Sequence, residues 1–114
     1  MSEADSELPS ILIGDVDDLD DPFLLDVRES DEYDAGHAPD AVFHPLATIP
    51  AVAPTLPTDR TILCICRVGG RSAQATAYLR ERGLDAVNLE GGMQAWERFG
   101  MDVMRDDGSF GTVI

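Results

Sequence analysis

An α/β domain with a central, mainly parallel sheet is what this sequence predicts, and three observations carry the prediction. Short apolar runs alternate with segments of helical spacing along the chain. The run Thr61-Ile62-Leu63-Cys64-Ile65-Cys66 is apolar and β-branched at consecutive positions, as a strand covered on both faces reads. Glycines then close the helical segments, at Gly36, Gly83 and Gly100. The 114 residues suit one domain, and 44% hydrophobic residues provide a core that needs no disulfide or structural metal.

In chain order, Ser10-Ile11-Leu12-Ile13 predicts a short first strand, and the Asp-rich residues 14–21 a turn or short helix. Phe23-Leu24-Leu25-Asp26-Val27 is a second strand. Residues 30–36 predict a short helix, with Ser30 as candidate N-cap and Gly36 as stop. Ala41-Val42-Phe43-His44 is a brief strand closed by Pro45. Pro50, Pro54 and Pro57 confine any helix in residues 48–58 to short pieces. After the central strand, residues 72–82 read as a helix with Ala75, Tyr78 and Leu79 on one stripe and Arg80 and Arg82 near its C-terminal end. Ala86-Val87-Asn88-Leu89 is another strand, and residues 92–99 a last helix whose buried face is Met93, Trp96 and Phe99. Residues 1–8 are expected to be a flexible N-terminus, 9–103 the domain, and 104–114 a C-terminal tail with a frayed end.

Charge narrows the function. Eight Lys+Arg face 22 Asp+Glu, for a net −14; every cation is arginine and fifteen of the acids are aspartate. Such a field excludes nucleic acid and anionic membrane as expected partners, because phosphate binding needs clustered cations. It predicts an acidic, highly soluble surface and suggests adaptation to a salt-rich cytosol, where a Debye length of about 3 Å at 1 M screens self-repulsion. No basic, apolar leader and no membrane-length apolar run is evident, so a cytoplasmic protein with reduced thiols is expected.

The chemistry concentrates in Cys66-Arg67-Val68-Gly69-Gly70-Arg71-Ser72. This loop joins a buried strand to a helix at the strand's C-terminal end, where open α/β sheets place ligands. Two glycines let the backbone curl and turn successive N–H groups inward as an anion nest, and the helix adds its positive end. Arg67 and Arg71 bring cationic density to an otherwise acidic chain. A thiol at the mouth of such a loop is expected to be depressed in pKa and nucleophilic without a dedicated base.

The loop resembles the active-site loop of the rhodanese family, whose single-domain members often read Cys-x-x-Gly-x-Arg-Ser. Four further segments resemble the family in the same order: Leu24-Leu25-Asp26-Val27-Arg28, Glu32-Tyr33, Gly36-His37-Ala38-Pro39-Asp40-Ala41, and Glu90-Gly91-Gly92-Met93-Gln94-Ala95-Trp96. The resemblance implies a sheet of about five strands with helices on both faces. It also implies sulfurtransferase activity through a persulfide on Cys66, from a small sulfur donor such as thiosulfate to cyanide, a thiol or a protein acceptor, with no metal, flavin or nucleotide. In that reading Cys66 is the nucleophile, the backbone of residues 67–72 holds the anion, and Arg67 and Arg71 attract the donor. A sulfur-relay or docking module without turnover is the alternative. Oligomeric state is not implied. Cysteine phosphatases, some on the same fold, use Cys-x5-Arg; here only four residues separate Cys66 from Arg71, so a smaller bowl suited to sulfur is expected.

The remaining candidates are read as structural. Asp26 and Arg28 are supporting residues, the first capping loop N–H groups and the second pairing with an acid such as Glu32. Arg71 has two readings, substrate contact or a tie from the helix start to an acid, and the first is favoured. Cys64 reads as a buried strand residue, because a disulfide across one intervening residue is strained. His37 reads as a turn residue bonded to backbone, His44 as a semi-buried histidine on the core side, and Trp96 as core. Asp40 stands where the family usually has glycine, at a turn where Asp tolerates a left-handed conformation.

Overall fold

The computed structural model describes residues 8–114, so the first seven residues of the expected flexible N-terminus lie outside it. Five strands form one sheet: β1 (Ser10–Ile11), β2 (Phe23–Asp26), β3 (Val42–Phe43), β4 (Ile62–Ile65) and β5 (Ala86–Leu89), in the order β1-β5-β4-β2-β3. Every pairing is parallel. The helices are α1 (Ser30–Ala35), α2 (Ile49–Val52), α3 (Gly70–Glu81) and α4 (Gly92–Arg98), with 3-10 turns at Ile13–Asp18, Leu46–Thr48 and Ala53–Thr55.

Alternation along β4 divides the core into two layers. Ile62, Cys64 and Cys66 face α2 and α3 together with Leu25, Val27, Ile49, Ala75 and Leu79. Leu63 and Ile65 face the other side, against Leu89, Met93, Trp96 and Val103. A strand buried on both faces needs apolar residues at every position, which is why residues 62–65 show no polar alternation. Each such side chain contributes roughly 2 kcal/mol by removal from water.

The crossover from β2 runs outward to β3, and the crossover from β4 runs the other way to β5. The crevice between the ends of β2 and β4 is therefore a topological switch point. Arg28 follows one of these strands and Cys66 the other.

Three expectations are corrected. The cap of α1 is Glu29, not Ser30: Glu29 and Glu32 close a reciprocal capping box, and the Glu32 carboxylate accepts the Glu29 N–H at 2.9 Å. Phe99 is 60% exposed, because α4 ends at Arg98 and the chain reverses at Gly100 (φ 91°), leaving Met101 and Val103 to cover that face. Residues 104–114 do not fray. Met104 bridges His37 on one side and Phe110 on the other, and Thr112 N–H bonds the Ala35 carbonyl at 2.9 Å. Gly36 permits this strap: its backbone is extended, but a Cβ there would lie 2.6 Å from Val103 and 2.7 Å from Thr112.

Candidate active site

The thiol of Cys66 is built into the turn between β4 and α3. Gly69 caps α3 in a left-handed conformation (φ 114°), which a residue with a side chain adopts only under strain. That conformation aims the Gly69 N–H at Cys66 Sγ, 3.0 Å away. The Ser72 hydroxyl, one turn into the helix and fully buried, lies 3.2 Å from the same sulfur. Burial pushes the Cys66 thiol up, but the Ser72 hydroxyl and the N–H groups of Ser72, Gly69 and Val68 outweigh it and hold the thiol below its ordinary value. Cys64, on the same face one pleat earlier, has no backbone N–H donors of this kind. Burial drives its thiol up to about 11, against a weaker lowering by the Thr76 hydroxyl.

The outer side of the turn is fixed by α4. Met93 N–H bonds the Cys66 carbonyl at 2.8 Å, and Gln94 N–H bonds the Arg67 carbonyl at 3.0 Å. With these carbonyls held outward, the N–H groups of the turn point inward. Gly92 makes the approach possible, since a Cβ there would collide with the Cys66 carbonyl.

Arg71 makes the tie to an acid that was one of its two readings. Its Nη1 and Nη2 donate to the two oxygens of Glu32 at 2.7 and 2.8 Å, which uses one edge of the guanidinium and joins the start of α3 to α1. The pairing depresses the Glu32 carboxyl to about 2 and raises Arg71 further. Arg28 accordingly pairs not with Glu32 but with Asp26. Its Nη2 sits 2.8 Å from Asp26 Oδ2 and also donates to the Gly36 carbonyl at 2.8 Å, and both residues are buried. Asp26 further accepts the Arg28 N–H at 3.1 Å, the loop-capping role expected of it. Arg28 Nη1 is buried without a hydrogen-bond partner among the described residues.

Arg67 is exposed and its Nε donates to the Ile114 carbonyl at 2.9 Å. Val68 is also exposed, at 52%. Gly70 begins α3 with open space where a Cβ would stand. Residues 66–72 form one turn beside the Cys66 sulfur, and Asp26 and Arg28 pair with each other at the end of the neighbouring strand.

A family profile described as "Rhodanese-like domain" matches residues 10–99. The chain belongs to the rhodanese-like family. It is 38% identical over 109 residues to a protein from Allochromatium vinosum named "Sulfurtransferase", covering 95% of this chain and 99% of that one. YtwF of Bacillus subtilis is 45% identical over 75 residues, covering 66% of this chain and 73% of the relative. Among solved structures, a rhodanese-related protein from Thermoplasma volcanium superposes with a TM-score of 0.80 at 32% identity, covering 84% of this chain and 97% of that one.

Around this rhodanese-like site, His37 acts as a structural anchor. Its Nδ1 faces the Ala38 carbonyl at 3.1 Å and its Nε2 faces Asp106 at 2.9 Å, while the ring stacks on Tyr33 at 3.9 Å. His44 is half-buried, Trp96 is core, and Asp40 does adopt the left-handed conformation (φ 67°). Sequence reasoning missed two residues at the site. Glu32 was offered to the wrong arginine, and Asn88, whose amide reaches both Gly69 and Ser72, was read only as part of a strand. A polar residue inside the apolar run of residues 86–89 was the available signal.

Proposed function

We propose that this domain is a sulfurtransferase that carries sulfane sulfur as a persulfide on Cys66. The observation that carries the reading is the pair of donors on Cys66 Sγ, the Gly69 N–H at 3.0 Å and the Ser72 hydroxyl at 3.2 Å, which stabilise a thiolate without a base. The thiolate attacks the outer sulfur of a donor such as thiosulfate. The S–S bond of the donor breaks, sulfite leaves with the bonding pair, and a persulfide anion remains on Cys66. Attack on that outer sulfur by cyanide or a thiolate returns the Cys66 thiolate, giving ping-pong kinetics.

Access favours sulfur over phosphorus. Cys66 exposes only 1% of its surface, so the reacting end of the donor has to be narrow. The terminal sulfur of thiosulfate is a single unhindered atom, whereas a phosphoryl centre is crowded by its oxygens. Arg67, exposed beside the turn, is the cation that attracts the donor; Arg71, paired with Glu32, anchors the start of the helix that follows the turn. The acceptor inside the cell is a thiol or a partner protein.

The test is intact mass after thiosulfate, for the wild type and Cys66→Ser, at low and high salt. The expected result is a gain of one sulfur, absent in the variant and removed by cyanide with release of thiocyanate. Loading without turnover on small acceptors identifies a relay to a partner instead. Absence of an adduct at either salt overturns the thiosulfate reading, and phosphate release from an aryl phosphate would replace it with phosphatase chemistry.

A further inference from the structure

Ser72 has one hydroxyl proton and two acceptors within reach. Its Oγ lies 3.2 Å from Cys66 Sγ and 2.5 Å from Asn88 Oδ1. The orientation of Asn88 is fixed from its other side, where Nδ2 donates to the Gly69 carbonyl at 3.2 Å; a carbonyl only accepts, so the amide oxygen must face Ser72. Asn88 is 7% exposed and Ser72 fully buried, so water does not readily substitute for either partner.

We propose that Asn88 is a positioning residue whose amide oxygen competes with Cys66 Sγ for the single proton of Ser72, giving that hydroxyl one partner for each state of the sulfur. With Cys66 as a thiol, the chain runs Sγ–H to Ser72 Oγ, and Ser72 O–H to Asn88 Oδ1, with every group satisfied. When Cys66 releases its proton to solvent, the Ser72 hydroxyl rotates and donates to the thiolate, and Asn88 Oδ1 loses its donor. The covalent O–H bond of Ser72 stays intact; only its hydrogen-bond partner changes. When charge moves to the outer sulfur of a persulfide, Sγ is neutral again and the hydroxyl returns to Asn88. Asn88 thus opposes the thiolate that Ser72 and Gly69 favour, so the two buried side chains on one hydrogen-bond chain act in opposite directions.

Other charged or titratable groups face the sulfur from each packed element. These are Arg67 within the turn, exposed; Arg71 at the start of α3, balanced by Glu32; and Cys64 on β4, while the Asp26–Arg28 pair at the end of β2 is in register with Ile65 on the other face of the sheet. None contacts Asn88 Oδ1, which leaves Ser72 as the link between Asn88 and the sulfur.

The inference rests on Cys66 as the reactive thiol of the proposed function, and its test does not use sulfur transfer. The rate of iodoacetamide alkylation at Cys66, located by peptide mass, is followed against pH in the full chain. Ser72→Ala is expected to raise the midpoint by about one pH unit, since a donor to a charged group is lost. Asn88→Ala is expected to lower it by about half a unit, since a competitor for that donor is removed. In the Ser72→Ala background the Asn88 substitution should no longer shift the midpoint. Asn88→Leu, closer in volume and equally without an acceptor, reads the same downward shift if the alanine variant does not fold. In the unaltered protein, the Asn88 side-chain carbonyl carbon resonance should titrate with the Cys66 midpoint. A midpoint unchanged or raised by the Asn88 substitutions, a shift that persists without Ser72, or a carbonyl resonance flat through the titration would each overturn the proposal. Failure of thiosulfate loading with these shifts intact would overturn the sulfur-transfer reading alone.

Discussion

Replacing Glu32 with Gln removes a charge while keeping the shape of the clamp between α1 and α3. In the native fold Arg71 holds the Glu32 carboxyl at about 2, against an ordinary value of 4.5. A shift of that size in a fully buried pair would correspond to about 3 kcal/mol. The side chains are 14% and 32% exposed, so solvent screening brings the expected contribution to about 1 kcal/mol. The sign follows from linkage. A carboxyl depressed in the folded state stabilises fully above its unfolded value and loses that contribution as pH falls through the folded one, here from about 4.5 to about 2. Urea unfolding of the wild type and Glu32→Gln should therefore differ by about 1 kcal/mol at pH 7, or about 4 °C in Tm for a domain of this size. The gap should narrow as pH falls below 4.5. No gap at pH 7, or a gap that widens on acidification, would refute the assignment of Arg71 as a clamp.

Three further outcomes are expected. Gly92→Ala should destabilise by more than about 2 kcal/mol, because the new Cβ meets the Cys66 carbonyl, whereas Gly108→Ala meets nothing within 4 Å and should lose only about 1 kcal/mol for its positive φ; comparable Tm losses would contradict the packing of α4 on the turn. Native protein at pH 8 should take up one iodoacetamide label, at Cys66, with Cys64 labelled only on unfolding, since the Cys64 thiol sits at about 11 while the donors around Cys66 hold its thiol below the ordinary value; two native labels would refute this. Finally, Tm should climb steeply between low salt and molar KCl as the net −14 is screened, and a flat response would remove the salt adaptation inferred from composition.

The strands and the reactive turn were legible because they rest on local chemistry. Consecutive apolar residues in β4 can only be covered on both faces, and a Gly-Gly turn between strand and helix can only curl around its own N–H groups. Pairings between distant side chains were not. Arg71 and Arg28 each had several acids within plausible reach, and only the fold decides that Glu32 belongs to one and Asp26 to the other. The strap of residues 104–114 was illegible for a related reason. Its order comes from Gly36, Ala35 and His37, far away in sequence, and not from any periodicity of its own. Phe99 misled because the spacing from Met93 and Trp96 reaches it on paper, whereas it is the C-cap of α4 and Met101 and Val103, beyond the reversal at Gly100, cover that face.

The all-parallel order also sets a timetable for synthesis. Ser10 pairs with Asn88, so the first strand made waits unpaired until the last of the five strands leaves the ribosome. The same late segment, from Asn88 to Gln94, supplies the groups that grip the turn: the amide on Ser72 and the two N–H groups on the carbonyls of Cys66 and Arg67. A nascent chain that has only reached the end of α3 carries the cysteine and the donors of residues 68–72, but not the groups that grip the turn from outside. The turn around the cysteine is thereby finished only when the last strand and the start of the last helix have been made.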